Sequence, residues 1–238
     1  MSRLQHLTSD MLDEATGRRR RRDPVRPRTG GPAGNAALTA WTGLLLLALF
    51  LAELVTLLDV HTLISWHIAL GALLIPPALL KTATTGWRIV HYYVGDRDYV
   101  DAGPPPMLLR LLGPVVIGST LAVLGSGLAL VLLGERTSRR TLITLLGQRV
   151  DALTVHQASF ILWGIATGLH VLARLLPATR TLIDARRALP GRWRRALALG
   201  VVAALAAVTA ILVLGVSGGW QDGRFDHRPP PGAVRQQP

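Results

Sequence analysis

Residues 155–176 read VHQASFILWGIATGLHVLARLL, with His156 near one end and His170 towards the other. A run of this length and composition can cross a bilayer as one helix. The two histidines are fourteen residues apart. At about 100° per residue, that spacing falls roughly 40° short of four full turns, so both rings share a helix face. Along the axis they stand roughly 21 Å apart, at about 1.5 Å per residue. The hydrocarbon layer is about 30 Å thick. One imidazole therefore lies near each membrane face, and both can point into the same bundle. Ionisable side chains at such depth are costly and mark candidate functional sites.

Four more stretches of the same kind surround this run. The spans predicted are about 38–58, 63–81, 108–133, 153–175 and 195–217. Half of the 238 residues are hydrophobic, and they concentrate in these stretches. Ala, Leu, Gly and Val dominate them, which suits helices packed through small residues and not the alternation of a β-barrel. The expected fold is an all-α polytopic membrane bundle over residues 38–217. The loop Asp59–Thr62 is short, so spans one and two form an antiparallel hairpin. Thr82 to Val94 continues span two with Trp87, Tyr92 and Tyr93, aromatic residues suited to a membrane interface. Gly95-Asp96-Arg97-Asp98 and Gly103-Pro104-Pro105-Pro106 then break the helix before span three.

The chain has no cysteine. Disulfides, iron–sulfur clusters, thiolate haem ligation and Cys-linked haem are thereby excluded. The net charge is +12, and Lys81 is the single lysine. The basic residues flank the spans, where they set topology and touch anionic headgroups, so the expected partner is a lipid bilayer and not a nucleic acid. Lys and Arg number nineteen on the side of the N-terminus, 81–110 and 174–195, against seven on the other. That bias predicts a plasma-membrane protein with its N-terminus cytoplasmic and its C-terminus outside. Residues 1–37 read as a disordered basic arm, with a five-arginine run at Arg18–Arg22 and without the apolar core of a signal peptide. Residues 218–238, with Pro229, Pro230 and Pro231, read as a disordered tail.

Spans two and four run in the same direction, which puts His67 and His156 at similar depth near the outer face. Two neutral imidazoles facing each other across a bundle can take both axial positions of one haem iron. His67 and His156 are the expected metal ligands. Gly71, four residues after His67, leaves room for a flat macrocycle, and so do Gly164 and Gly168 after His156. Ser126 and Gly127 of span three face the same cavity on this reading. Each glycine has an equal claim as a helix-packing contact, and each histidine as a hydrogen bond to a neighbouring helix. Glu53, the one carboxylate well inside a span, relays protons to this site or reaches the interface beside Asp59. His61 belongs to the outer surface, and His91 lies too far along its helix to serve as a ligand.

His170 calls for a partner at the inner face. Fourteen residues after His67, where that partner belongs, stands Lys81. Pro76 and Pro77 intervene and are expected to kink the span. Three roles fit Lys81: snorkelling to the inner headgroups, approaching haem propionates, phosphate or a quinone, or ligating iron as a neutral amine.

On these residues the chain resembles the b-type cytochrome membrane superfamily. That group includes the haem-bearing membrane subunits of formate dehydrogenases and nickel–iron hydrogenases, and ferric-reductase-like proteins. The matching pieces are His67-Ile68-Ala69-Leu70-Gly71, Ser126-Gly127-Leu128, His156-Gln157-Ala158-Ser159-Phe160 and His170-Val171-Leu172. The chain is more similar still to uncharacterised integral membrane proteins of high-GC bacteria, through residues 81–88 (KTATTGWR) and 103–106 (GPPP). The resemblance covers about residues 60–175. It implies a four-helix haem-binding core with a fifth transmembrane helix attached. It also implies haem b, held by His67 and His156 beside Gly71 and Ser126, with His170 and Lys81 at an inner position. Lys81 departs from the histidine of two-haem relatives.

The function expected is electron transfer by a membrane protein carrying at least one b-type haem near the outer face. Such a protein passes electrons between a quinone or membrane partner and an outer-face oxidoreductase subunit. The chain has no separate substrate-binding domain that would make it an enzyme alone. A membrane anchor or scaffold without haem is the alternative. A small transporter, with Pro76-Pro77 as a broken-helix site and Glu53 or Lys81 as the coupling charge, is a third.

Overall fold

The computed structural model describes residues 23–103, 107–185 and 189–221. Arg18–Arg22, Pro104–Pro106 and the tail beyond residue 221 lie outside the described residues. The elements in chain order are α1 (Gly31–Thr56), a 3-10 turn (Leu57–Asp59), α2 (Ile64–Tyr93), α3 (Arg97–Asp101), α4 (Met107–Ser138), β1 (Ile143–Leu145), β2 (Gln148–Val150), α5 (Ala152–Ala185), α6 (Arg192–Gly215) and α7 (Gly218–Gln221). Five of them, α1, α2, α4, α5 and α6, are long and apolar enough to cross a membrane. The architecture is an all-α bundle of a multi-pass membrane protein.

Helix α2 lies at its centre and packs against α1, α6 and α4. Small side chains make these contacts. Val202, Ala206, Ala210 and Val213 form the buried stripe of α6. Ile68 and Ala72 of α2 meet Ala210, Val213 and Val131 in one buried cluster, and Leu46, Leu74 and Ala78 form a second. Larger apolar groups such as Leu197, Leu205, Ile211 and Leu212 face outward. That arrangement is expected where the solvent is hydrocarbon, because lipid tails accept leucine as readily as a protein core does. Helix α5 packs chiefly on α4 and also touches α1. It does not pack closely on α2, and the space between them is the site described below.

The helices exceed the spans expected from hydropathy. The second runs on past 81 to Tyr93, along the continuation expected over Thr82 to Val94, and it passes through Pro76 and Pro77 as one helix. The segment 23–37, expected to belong to a disordered arm, is ordered instead. Gly30 (φ 83) turns the chain, Pro32 opens α1 and Asn35 Nδ2 donates to Thr84 O at 3.0 Å. Charge fastens the same segment. Arg26 pairs with Asp96 at 2.6 Å and with Asp98, and Asp23 pairs with Arg88 at 2.5 Å. The carboxylates at the start of α3 are thus the counterpart of Arg26. Residues 218–221, expected in the tail, form α7.

Two local features mark the chain between Gly134 and Val150. The strands β1 and β2 pair antiparallel around Leu146 (φ 49) and Gly147 (φ 78), a tight two-residue turn that the loop sequence signals only through its glycine. In α4, Gly134 leaves helical geometry (φ 71, ψ 163). A helical residue there would donate its N–H to Leu130 O. That carbonyl also accepts from Trp220 Nε1 at 2.8 Å and from Ser138 Oγ at 3.4 Å.

Asp151 caps α5. Its Oδ1 accepts from the Thr154 backbone N–H at 2.7 Å and from the Thr154 hydroxyl at 2.8 Å. These two bonds hold its carboxyl below the ordinary aspartate range, with a smaller contribution from Arg139. A depressed folded value means stability that is present above the unfolded value and lost as pH falls through the folded one. Asp151→Ala is therefore expected to melt lower than the wild type at pH 7, with the gap closing below about pH 4. Thermal unfolding in detergent at both pH values checks this; a gap that persists at low pH would refute it.

Candidate functional site

His67 projects from the first turn of α2 and His156 from the first turns of α5. Their ring centroids are 6.4 Å apart with planes at 78°. Hydrogen-bonding groups gather at the Nδ1 nitrogen of each ring. The Thr56 hydroxyl donates to Glu53 O at 2.6 Å, so it is an acceptor towards His67 Nδ1 at 2.9 Å. Glu53 Oε1 also lies 2.9 Å from that nitrogen. Similarly, the Ser126 hydroxyl donates to Val123 O at 3.1 Å and accepts from His156 Nδ1 at 3.0 Å. These contacts suit the Nδ1–H tautomer in both rings, which leaves the lone pair on Nε2. A histidine prepared to ligate a metal has this arrangement, its other N–H given to a carboxylate or hydroxyl.

The rings border a cavity of about 820 Å³. Its walls are mainly apolar: Phe50, Leu74, Leu124, Val131, Phe160 and Trp163 among others, with Glu53, Gly71 and Gly127 beside the histidines. This volume lies within the range of about 300–1,000 Å³ typical of cofactor pockets. Gly127 stands close against the His156 ring. A Cβ there would lie 3.1 Å from His156 Cε1, tighter than an ordinary contact. At Gly71 the nearest atom to such a Cβ would be Glu53 Oε1, at 3.5 Å.

With about 2 Å from each ligating nitrogen to a metal, and roughly 1 Å more to each ring centre, imidazoles on opposite sides of one metal have centres about 6 Å apart. The observed separation is close to that value. It also falls in the range of direct edge-to-face contact. The adjoining cavity and the contacts at both Nδ1 atoms are what favour a ligand. Among the described residues, no group of three or more His, Asp or Glu could hold a bare metal ion. A macrocycle that brings four nitrogens of its own needs only two axial ligands from protein. The residues present fit such a group.

No family model matches the chain, and no curated protein or solved structure matches it.

The remaining expected site residues fall in three places. Gly71, Gly127 and Ser126 join the histidine pair as anticipated. Gly164 and Gly168 do not: nothing lies within 4 Å of a Cβ built at either, and neither lines the cavity. They sit on a face of α5 away from the partner helices, which the helical spacing alone did not resolve. His170 and Lys81 form a separate cluster at the opposite end. Lys81 Nζ turns onto α1, donating to Thr39 O at 3.1 Å over Gly43. Glu53 reaches His67 and not the interface beside Asp59. His61 is exposed at the mouth of the cavity, and His91 is occupied by Trp87, its ring stacked at 4.1 Å.

Three contributors escape the sequence reading. Thr56 is buried and binds the first histidine. Trp220, from beyond the last span, forms part of the cavity wall. Trp163 is 6% exposed, with its Nε1 buried and without a partner. Trp163 was within reach, since it stands seven residues from both His156 and His170 and so shares their helix face.

Proposed function

We propose that this chain is a b-type cytochrome-like electron-transfer protein of the plasma membrane, with one haem held between α2 and α5 by Nε2 of His67 and of His156. The observation that carries this reading is the pair of histidines, each held at Nδ1 by a helix hydroxyl, on the edge of an apolar cavity of about 820 Å³. When bound, the haem would supply reversible one-electron chemistry. The chain's own residues orient the rings, exclude water and surround the site with low-dielectric walls. Glu53, bonded to His67, raises the basicity of that ligand. With the N-terminus cytoplasmic, the site lies near the outer face. Electrons would pass between a quinone or membrane partner and an outer-face oxidoreductase subunit.

One observation favours a second reading, a membrane scaffold without haem. The His67 bonds tie α2 to α1 and the His156 bond ties α5 to α4, so the histidines also knit the bundle. A visible absorption scan separates the two. Protein extracted in detergent from haem-replete cells is expected to carry a Soret band that shifts on dithionite reduction. Colourless protein from those cells would leave the scaffold.

A further inference from the structure

Between α4 and α5 the strands β1 and β2 form a hairpin that the bundle leaves largely uncovered. Every residue from 139 to 149 is exposed. Paired residues of an antiparallel ladder share a face. Ile143 lies opposite Val150 and Leu145 opposite Gln148, while Thr144 lies opposite Arg149. One face is therefore mainly apolar, and the other is polar and basic. Leu146, at the turn, is 96% exposed. Two strands of three residues each, with an uncovered apolar face, are marginal in water.

Position sets which partner can cover that face. At the base of the hairpin, Leu142 N–H donates to Val150 O at 2.8 Å. The membrane helix α5 opens two residues later, at Ala152. From Val150 back to Gly147 the chain spans roughly 13 Å, at about 3.3 Å per residue. Each headgroup layer is roughly 5–8 Å deep. The base of the hairpin thus sits at that layer, and the turn clears it by little even when the hairpin stands upright. Laid flat, the hairpin brings its apolar face to the acyl boundary and its arginines to the phosphates, as amphipathic elements at an interface do. The charge is complementary as well. Residues 135–151 carry four arginines and two acids. Both acids are engaged, Glu135 with Arg139 and Asp151 with Thr154. Arg140 and Arg149 are exposed, and guanidinium groups suit lipid phosphate.

We propose that this hairpin is an interfacial membrane anchor, with Ile143, Leu145 and Leu146 at the acyl boundary and Arg140 and Arg149 on the phosphates of anionic phospholipid. The anchor works whether or not haem fills the cavity.

Thiol accessibility tests it. The chain has no cysteine, so one introduced thiol reports one position. Leu145→Cys, Leu146→Cys and Thr144→Cys are made singly in the full-length chain. Each is placed in nanodiscs of phosphatidylcholine and phosphatidylglycerol, one copy per disc, so that a second copy cannot cover the hairpin. A charged maleimide that does not enter lipid is then added. Leu145→Cys and Leu146→Cys are expected to react at least about tenfold more slowly than Thr144→Cys, because a thiol in apolar surroundings stays protonated. Adding Arg140→Gln and Arg149→Gln is expected to bring the Leu146→Cys rate to within about threefold of Thr144→Cys. All five positions are exposed, which spares the packed core. Equal rates at the three thiols overturn the proposal, and equal fast rates would leave the apolar face to a protein partner. Protection that survives the arginine substitutions overturns the phosphate contact.

Discussion

His156→Ala is expected to strip the Soret band from the purified protein. The substitution removes one of the two Nε2 lone pairs and leaves its partner, Ser126, bonded to the Val123 carbonyl. Axial ligation by one remaining histidine should lower haem occupancy to below about a tenth of wild type, while helix content by circular dichroism stays close to unchanged. Ser126→Ala is the informative companion. It preserves the ligand and removes only the acceptor that holds Nδ1–H, so haem affinity should fall by about 10- to 100-fold without vanishing. His67→Ala should match His156→Ala, since the two rings stand in equivalent roles. A His156→Ala protein with the wild-type spectrum would defeat the haem assignment outright.

The second large effect belongs to a residue without a side chain. Gly127→Val puts branched carbon where a lone Cβ would already stand 3.1 Å from His156 Cε1. The ring must rotate or withdraw, and either movement spoils axial geometry. Haem occupancy is expected to fall by about tenfold or more, because a displacement near 1 Å at a reacting or ligating centre costs on the order of 100-fold. Gly71→Ala provides the contrast. Its nearest neighbour would be Glu53 Oε1 at 3.5 Å, an ordinary contact, so its spectrum should differ little from wild type. Haem titration of the two apoproteins side by side measures the difference. Equal affinity in both would mean that the ring beside Gly127 is not a ligand.

The membrane bundle was legible because hydrophobic runs are set by the lipid they must cross. Helix ends were less so. Hydrogen bonding continues along α2 to Tyr93 well after the composition turns polar, and the backbone has no reason to stop where the lipid does. The pairing of His67 with His156 was readable from depth and direction. Which glycines mattered was not, since a helical wheel places Gly164 near His156 without saying whether another helix faces it. The ordered segment at 23–37 was hidden for a similar reason. Arginine, glycine and proline look disordered until Asp96 and Asp98, seventy residues away in sequence, supply the opposite charge.

The break at Gly134 has a bearing on how the molecule is made. Close to it, the Leu130 carbonyl accepts from Trp220, whose ring helps to wall the apolar chamber. A nascent chain threads its helices in order, and this indole emerges after all five have been delivered. Until then the chamber gapes on one side. On the haem reading proposed above, cofactor loading would be a late step in biogenesis, completed as the turn that carries Trp220 folds back.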